Sequence, residues 1–135
     1  MTDERGNATA GAGGPGPAAT TRLDDAALAK LRELDPDGRR SVVARVLIAF
    51  ESSRARWLVQ LEDQRIQSDP GTVNHIAHTL KSSAGSVGAT DLAQACADLE
   101  RRLRASETLD LPAETDRLVA LGHAALGAVR AMLRA

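Results

Sequence analysis

His78, Lys81, Ser82 and Gly85 are separated by three, four and seven residues counted from the histidine. Those offsets stack side chains along one face of an α-helix. In the stretch Val73 to Val87, a turn of about 100° per residue puts Val73, Ile76, Leu80, Ala84 and Val87 on one side, with Ala77 beside them. That side must face a core, and His78 lies opposite it, nearly antipodal to Leu80. A solvent-exposed imidazole titrates near pH ~6.5, so much of it is neutral and nucleophilic near neutrality. Lys81, one turn on, can offset negative charge arriving on such a ring. Ser82 and Gly85 are small enough to let another protein's surface approach it. Gly85 costs about 1 kcal/mol relative to alanine inside a helix, which is understood either as room for that approach or as fraying near Gly88. The bland alternative is an ordinary solvated histidine beside an ordinary lysine. Spacing alone leaves both readings standing.

The elements that must hold this face are all helical. Leu23, Leu28, Leu31 and Leu34 form the stripe of a short first helix from Asp24 or Asp25 to Leu34, ended by the turn Asp35-Pro36-Asp37-Gly38. A long helix is expected from Arg40 to Ile66, with Val43, Leu47, Phe50, Arg54, Trp57 and Leu61 on one face and Arg54 as the sole interruption. Ser68-Asp69-Pro70-Gly71 separates it from the histidine helix, expected over Thr72–Ser86 and interrupted at Gly88. A further helix runs from Ala89 or Thr90 to about Ala105 on Leu92, Cys96, Leu99 and Leu103. The last opens at Leu111-Pro112 and carries Leu118, Leu121, Ala125, Val129 and Met132. No segment alternates as a strand, and short loops favour antiparallel neighbours. The expected fold class is all-α, an antiparallel up-down four-helix bundle with an additional short N-terminal helix, over residues 23–135. Residues 1–22, rich in Gly, Ala and Pro, have too little apolar surface to offset their ordering entropy and read as a flexible tail.

Composition removes several function classes. The 135 residues carry a net charge of -1, without the basic patch a nucleic-acid surface needs or a polybasic membrane anchor. No run of eighteen apolar residues spans a membrane, and the N-terminus lacks an apolar signal core. The single cysteine, Cys96, cannot form an internal disulfide and fits a reduced, cytoplasmic setting as a small buried apolar residue.

The string His78-Thr79-Leu80-Lys81-Ser82-Ser83-Ala84-Gly85-Ser86-Val87-Gly88-Ala89, followed by Leu92, Cys96, Leu99 and Glu100, resembles the signature of histidine phosphotransfer (HPt) domains. The layout is similar over residues 23 to 134. One departure is Ser82, where the family most often has glycine; serine is still small. The resemblance implies a phosphoryl carrier in a two-component phosphorelay, with His78 as phosphoacceptor, Lys81 as charge stabiliser, and Ser82 and Gly85 as the close-approach surface. Glu100 has two readings: a carboxylate supporting the imidazole, or a solvated residue on a helix surface.

Several expectations follow from that likeness. The phosphoryl group would come from a receiver-domain aspartate, or a sensor (hybrid) histidine kinase, and pass to a response regulator. The chain would have no intrinsic cofactor, the chemistry being supplied by Mg²⁺ on the partner's receiver domain, and would not itself be an enzyme. In agreement, the sequence has no phosphate-cradling Gly-rich loop before a Lys-Ser/Thr pair and no paired carboxylates near His78 suited to Mg²⁺. A monomer is the simpler expectation for a shuttle between two partners, and the tail suggests a free-standing module. Two rivals remain. One is a phosphorylation-independent helical docking module for a receiver or kinase. The other, weaker, is a metal-binding bundle using His75, His78 and His123, with His75 expected on the surface and His123 packed or at the rim of the last helix.

Overall fold

Aspartate side chains cap the N-termini of three of the six helices among the described residues. The computed structural model describes residues 23–38 and 41–134; the expected tail, Arg40 at the expected start of the long helix, and residue 135 lie outside the described residues. Asp24 accepts the Ala27 N–H at 3.1 Å and starts α1, Asp25–Glu33. Acid in the first turn (Asp25) and base in the last (Lys30, Arg32) both complement the helix dipole. Leu28 is buried, but Leu34 is 61% exposed, which corrects the four-leucine stripe. The helix stops at Glu33, and Leu34 is its C-cap residue. Asp35, two residues past the helix, turns inward instead and accepts the Val42 N–H at 3.3 Å.

The long helix expected from Arg40 to Ile66 is two helices, α2 (Val42–Ser52) and α3 (Arg54–Gln67). At the junction the Ser53 hydroxyl donates to the Phe50 carbonyl at 2.7 Å and accepts the Trp57 indole N–H at 3.0 Å. A serine hydroxyl that bonds back to its own preceding turn competes with the backbone ladder and bends helices. Arg54, the first residue of α3, is exposed, so it does not interrupt an apolar face. Phe50 and Trp57 are both buried and pack with ring centroids 5.6 Å apart. Against that indole lies Gly122, where a Cβ would sit 2.6 Å from Trp57 Cζ3.

Asp69 caps α4, Pro70–Ser86, through the Thr72 N–H at 3.0 Å, and Pro70 occupies the first turn. The Thr72 hydroxyl, then its N–H, hold the Asp69 carboxyl below the ordinary aspartate range. Gly88 makes the turn into α5, Thr90–Arg104, with φ +78°. Its carbonyl accepts the Asp24 N–H at 2.6 Å, and a Cβ there would meet the Asp24 backbone N at 2.7 Å. Only glycine satisfies both the left-handed backbone and that approach. α6, Leu111–Arg134, completes the chain.

All regular structure among the described residues is helical, with no strand. α4 packs most extensively against α5, and α3 against α6; α6 also touches α5 and α2, α4 touches α3, and α1 leans on α2. Their shared interior holds Leu61, Val73, Leu80, Leu92, Leu99, Leu118, Leu126 and Val129, essentially without solvent contact. Each fully buried leucine of this kind stabilises the fold by about 1.5–3 kcal/mol. No helix among the described residues is long and apolar enough to cross a membrane.

Candidate functional site

Leu80 and its apolar companions decide which way His78 points. Val73, Ile76, Ala77, Leu80 and Ala84 of α4 are all buried, so the opposite face of the helix looks outward. The His78 side chain is 66% exposed. Around it Ser82 and Gly85 are exposed, and a Cβ on Gly85 would meet nothing within 4 Å. The fold therefore does not require glycine at position 85.

The inner side of the His78 ring is not free. Glu100 reaches across from α5 and places Oε2 2.6 Å from His78 Nδ1 and Oε1 2.8 Å from Lys81 Nζ. Its side chain is only 6% exposed, against 37% for Lys81. Of the two readings of Glu100, the solvated surface residue is the one its burial contradicts. α5 buries Cys96 and Leu99 against the core, and Glu100, four residues after Cys96, falls at the edge of that same buried face. A buried carboxylate needs partners, and α4 supplies two. The Lys81 ammonium, first, and the His78 ring, second, hold the Glu100 carboxyl below the usual glutamate range against the opposing effect of burial.

This geometry fixes the imidazole tautomer. An ionised carboxylate is acceptor-only, so Nδ1 must carry the proton it receives. In the neutral ring the lone pair then sits on Nε2, the nitrogen away from Glu100. The arrangement is a nucleophilic nitrogen with its partner nitrogen tethered and a cation bound to the same carboxylate. Arg104, the last residue of α5 and one turn beyond Glu100, approaches as well, with Nη1 3.6 Å from Oε2 and a side chain 65% exposed. Sequence reasoning passed over it, although its i+4 spacing from Glu100 was readable.

The remaining candidates lie apart. His75 is exposed, as expected; His123 is also exposed, not packed or at a rim, because the buried positions flanking it are taken by Gly122, Ala125 and Leu126. The three histidines are not brought together as a metal set, and among the described residues no group of three or more His, Cys, Asp or Glu side chains could hold a metal ion. Cys96 is buried, and that burial pushes its thiol up to about 12.

Comparison with known proteins agrees with the helical architecture. A solved structure, the crystal structure of histidine-containing phosphotransfer protein B (HptB) from Pseudomonas aeruginosa PAO1, aligns with a TM-score of 0.69 at 25% sequence identity, over 84% of this chain and 95% of that one. No curated protein sequence matches significantly. The sequence profile described as Hpt domain matches residues 45–135, from within α2 to the last residue and across the whole of α4 and α5. With that match over most of its length, the chain belongs to the Hpt domain family, the histidine phosphotransfer modules of two-component signalling.

Proposed function

We propose that His78 is the phosphoacceptor, taking a phosphoryl group from the phospho-aspartate of a receiver domain or hybrid kinase and passing it to a response regulator. The observation that carries this reading is the pairing of His78 Nδ1 with Glu100 at 2.6 Å, which leaves Nε2 as the nucleophile on an exposed ring. In the forward step the Nε2 lone pair forms an N–P bond as the acyl-phosphate O–P bond breaks, and the aspartate carboxylate leaves with the electron pair. The ring gains positive charge, and the Nδ1 proton stays on the hydrogen bond to Glu100, whose negative charge stabilises it. Lys81 offsets the charge of the phosphoryl oxygens. Ser82 and Gly85 let the receiver's surface come close. In-line transfer depends on positioning more than on covalent chemistry from the carrier, and a helix anchored by Leu80 and its neighbours provides it.

In this reading the chain is a carrier and not an enzyme, and Mg²⁺ belongs to the receiver partner. It works in the cytoplasm as a monomer, recognising a sensor kinase and response-regulator receivers. Its helices form an antiparallel up-down four-helix bundle, α2 and α3 serving as one bent arm, with α1 as the additional short N-terminal helix. The contacts of α3 with α4, α4 with α5, α5 with α6 and α6 with α3 support that arrangement. The deciding experiment incubates the protein with phosphorylated receiver domains and follows the label by gel. The label is expected to be acid-labile and base-stable, and absent from His78→Gln. Receiver binding without any phosphoryl uptake would select the docking module in its place.

A further inference from the structure

α5 carries three arginines near its end, and they are held very differently. Arg101 pairs with Asp98 within hydrogen-bonding distance. Arg102 is held by Glu114 at 3.1 Å, with Asp98 and Glu107 each at 3.4 Å. Among the described residues Arg104 has one carboxylate within reach, Glu100, at 3.6 Å, which is too long for a hydrogen bond. Both Glu100 oxygens are already engaged, by His78 and by Lys81. Arg104 is thus drawn to the site by charge but held by no hydrogen bond there, on a side chain 65% exposed.

We propose that Arg104 is a second phosphoryl-binding cation, which leaves Glu100 and takes the phosphoryl oxygens on His78 Nε2. The inference rests on His78 being the phosphoacceptor. The resting site holds one carboxylate and the side chains of Lys81, Arg104 and His78 around it, so it has cationic capacity beyond what Glu100 neutralises. A phosphoryl group brings about two negative charges. Lys81 is engaged on Oε1, and using it alone on the phosphoryl oxygens would strip Glu100 of a partner. Arg104 can move at no such cost, and a planar guanidinium matches two phosphoryl oxygens at once where an ammonium offers a point charge. Its position at the α5 C-terminus, one turn past Glu100, brings its guanidinium to 3.6 Å from the oxygen that holds the ring. It therefore approaches from the α5 side, while Lys81 approaches from α4.

Phosphoramidate tests this without any partner surface. The Nε2 lone pair forms the N–P bond as the donor's P–N bond breaks, and ammonia leaves with the electron pair. On the full-length chain, Arg104→Ala is expected to slow uptake about tenfold and to shift the ³¹P resonance of the phosphohistidine. Arg104→Lys should recover part of the rate. Arg101→Ala removes an equal charge from the same helix at similar exposure, 61%, and should stay within about twofold of the parent. Equal rates and an unchanged ³¹P shift in Arg104→Ala and Arg101→Ala, with uptake still abolished by His78→Gln, would refute the role of Arg104 and leave the phosphoacceptor standing. Uptake that survives His78→Gln would overturn both.

Discussion

Two charge clusters on α5 are built with inverted stoichiometry. Around Glu100, one buried carboxylate faces Lys81, His78 and Arg104. Two residues on, one cation, Arg102, faces Asp98, Glu107 and Glu114. The Arg102 cluster joins the end of α5, the following turn and the start of α6, and its acidic partners raise the guanidinium's affinity for its proton, Glu114 most of all. It is complete in itself and gains nothing from an added anion. The Glu100 cluster has cationic capacity to spare and an open ring nitrogen beside it. A structural staple satisfies its charges internally; the site proposed to receive a phosphoryl group leaves some of its charge unsatisfied.

Loss of the histidine itself has the largest expected effect. His78→Gln is expected to abolish phosphoryl uptake while circular dichroism and Tm stay close to the parent, since the ring is exposed; residual uptake would disprove the assignment. Glu100→Gln should slow transfer by about 10- to 100-fold, the range seen when a metal-bound histidine loses the carboxylate that orients it, in single-turnover assays. A rate within twofold would mean that the ring needs no anchor. Lys81→Ala should slow transfer less, about three- to tenfold, and shorten the lifetime of the phosphorylated form.

Acid should separate the clusters by a smaller margin. The folded state holds the Glu100 carboxyl below its ordinary value, so its contribution to stability is present above the unfolded value of about 4.3 and is lost as pH falls through the lower folded value. Urea midpoints measured from pH 6 down to 3 should therefore fall more steeply for the parent than for Glu100→Gln. Parallel curves would show that the lysine and histidine do not stabilise the ionised form. Smallest of all, Arg102→Ala should lower Tm slightly and leave transfer within about twofold; a large loss of transfer would make the two clusters one functional unit.

Much of this was legible in the residue order, and the failures share a cause. Leu92, Cys96 and Leu99 announce the buried face of α5, just as Val73, Ile76 and Leu80 announce that of α4 and so the exposure of His78. What one-dimensional periodicity misses is a side chain whose partner lies on another element. Glu100 sits at the margin of an apolar face, where spacing alone fits either a solvated acid or a buried one; Lys81 and His78 across the interface settle which. Ser53 reads as an unremarkable helix residue, and nothing in the spacing shows that its hydroxyl bonds both the Phe50 carbonyl and the Trp57 indole where α2 gives way to α3. Leu34 and His123 were assigned by stripe membership, which fails where a helix has already ended or where small residues have taken the inner positions.

The buried thiol of Cys96 has a practical consequence for studying the carrier. Displaced so far toward the protonated form and shielded from solvent, it will resist alkylating reagents as long as the native bundle stays closed. A cysteine introduced at an exposed position such as Arg101 would then be the single reactive thiol for a fluorophore or spin label, with no need to remove the native one. Labelling of Cys96 itself would report opening of the interior, and its rate would measure how often the helices part.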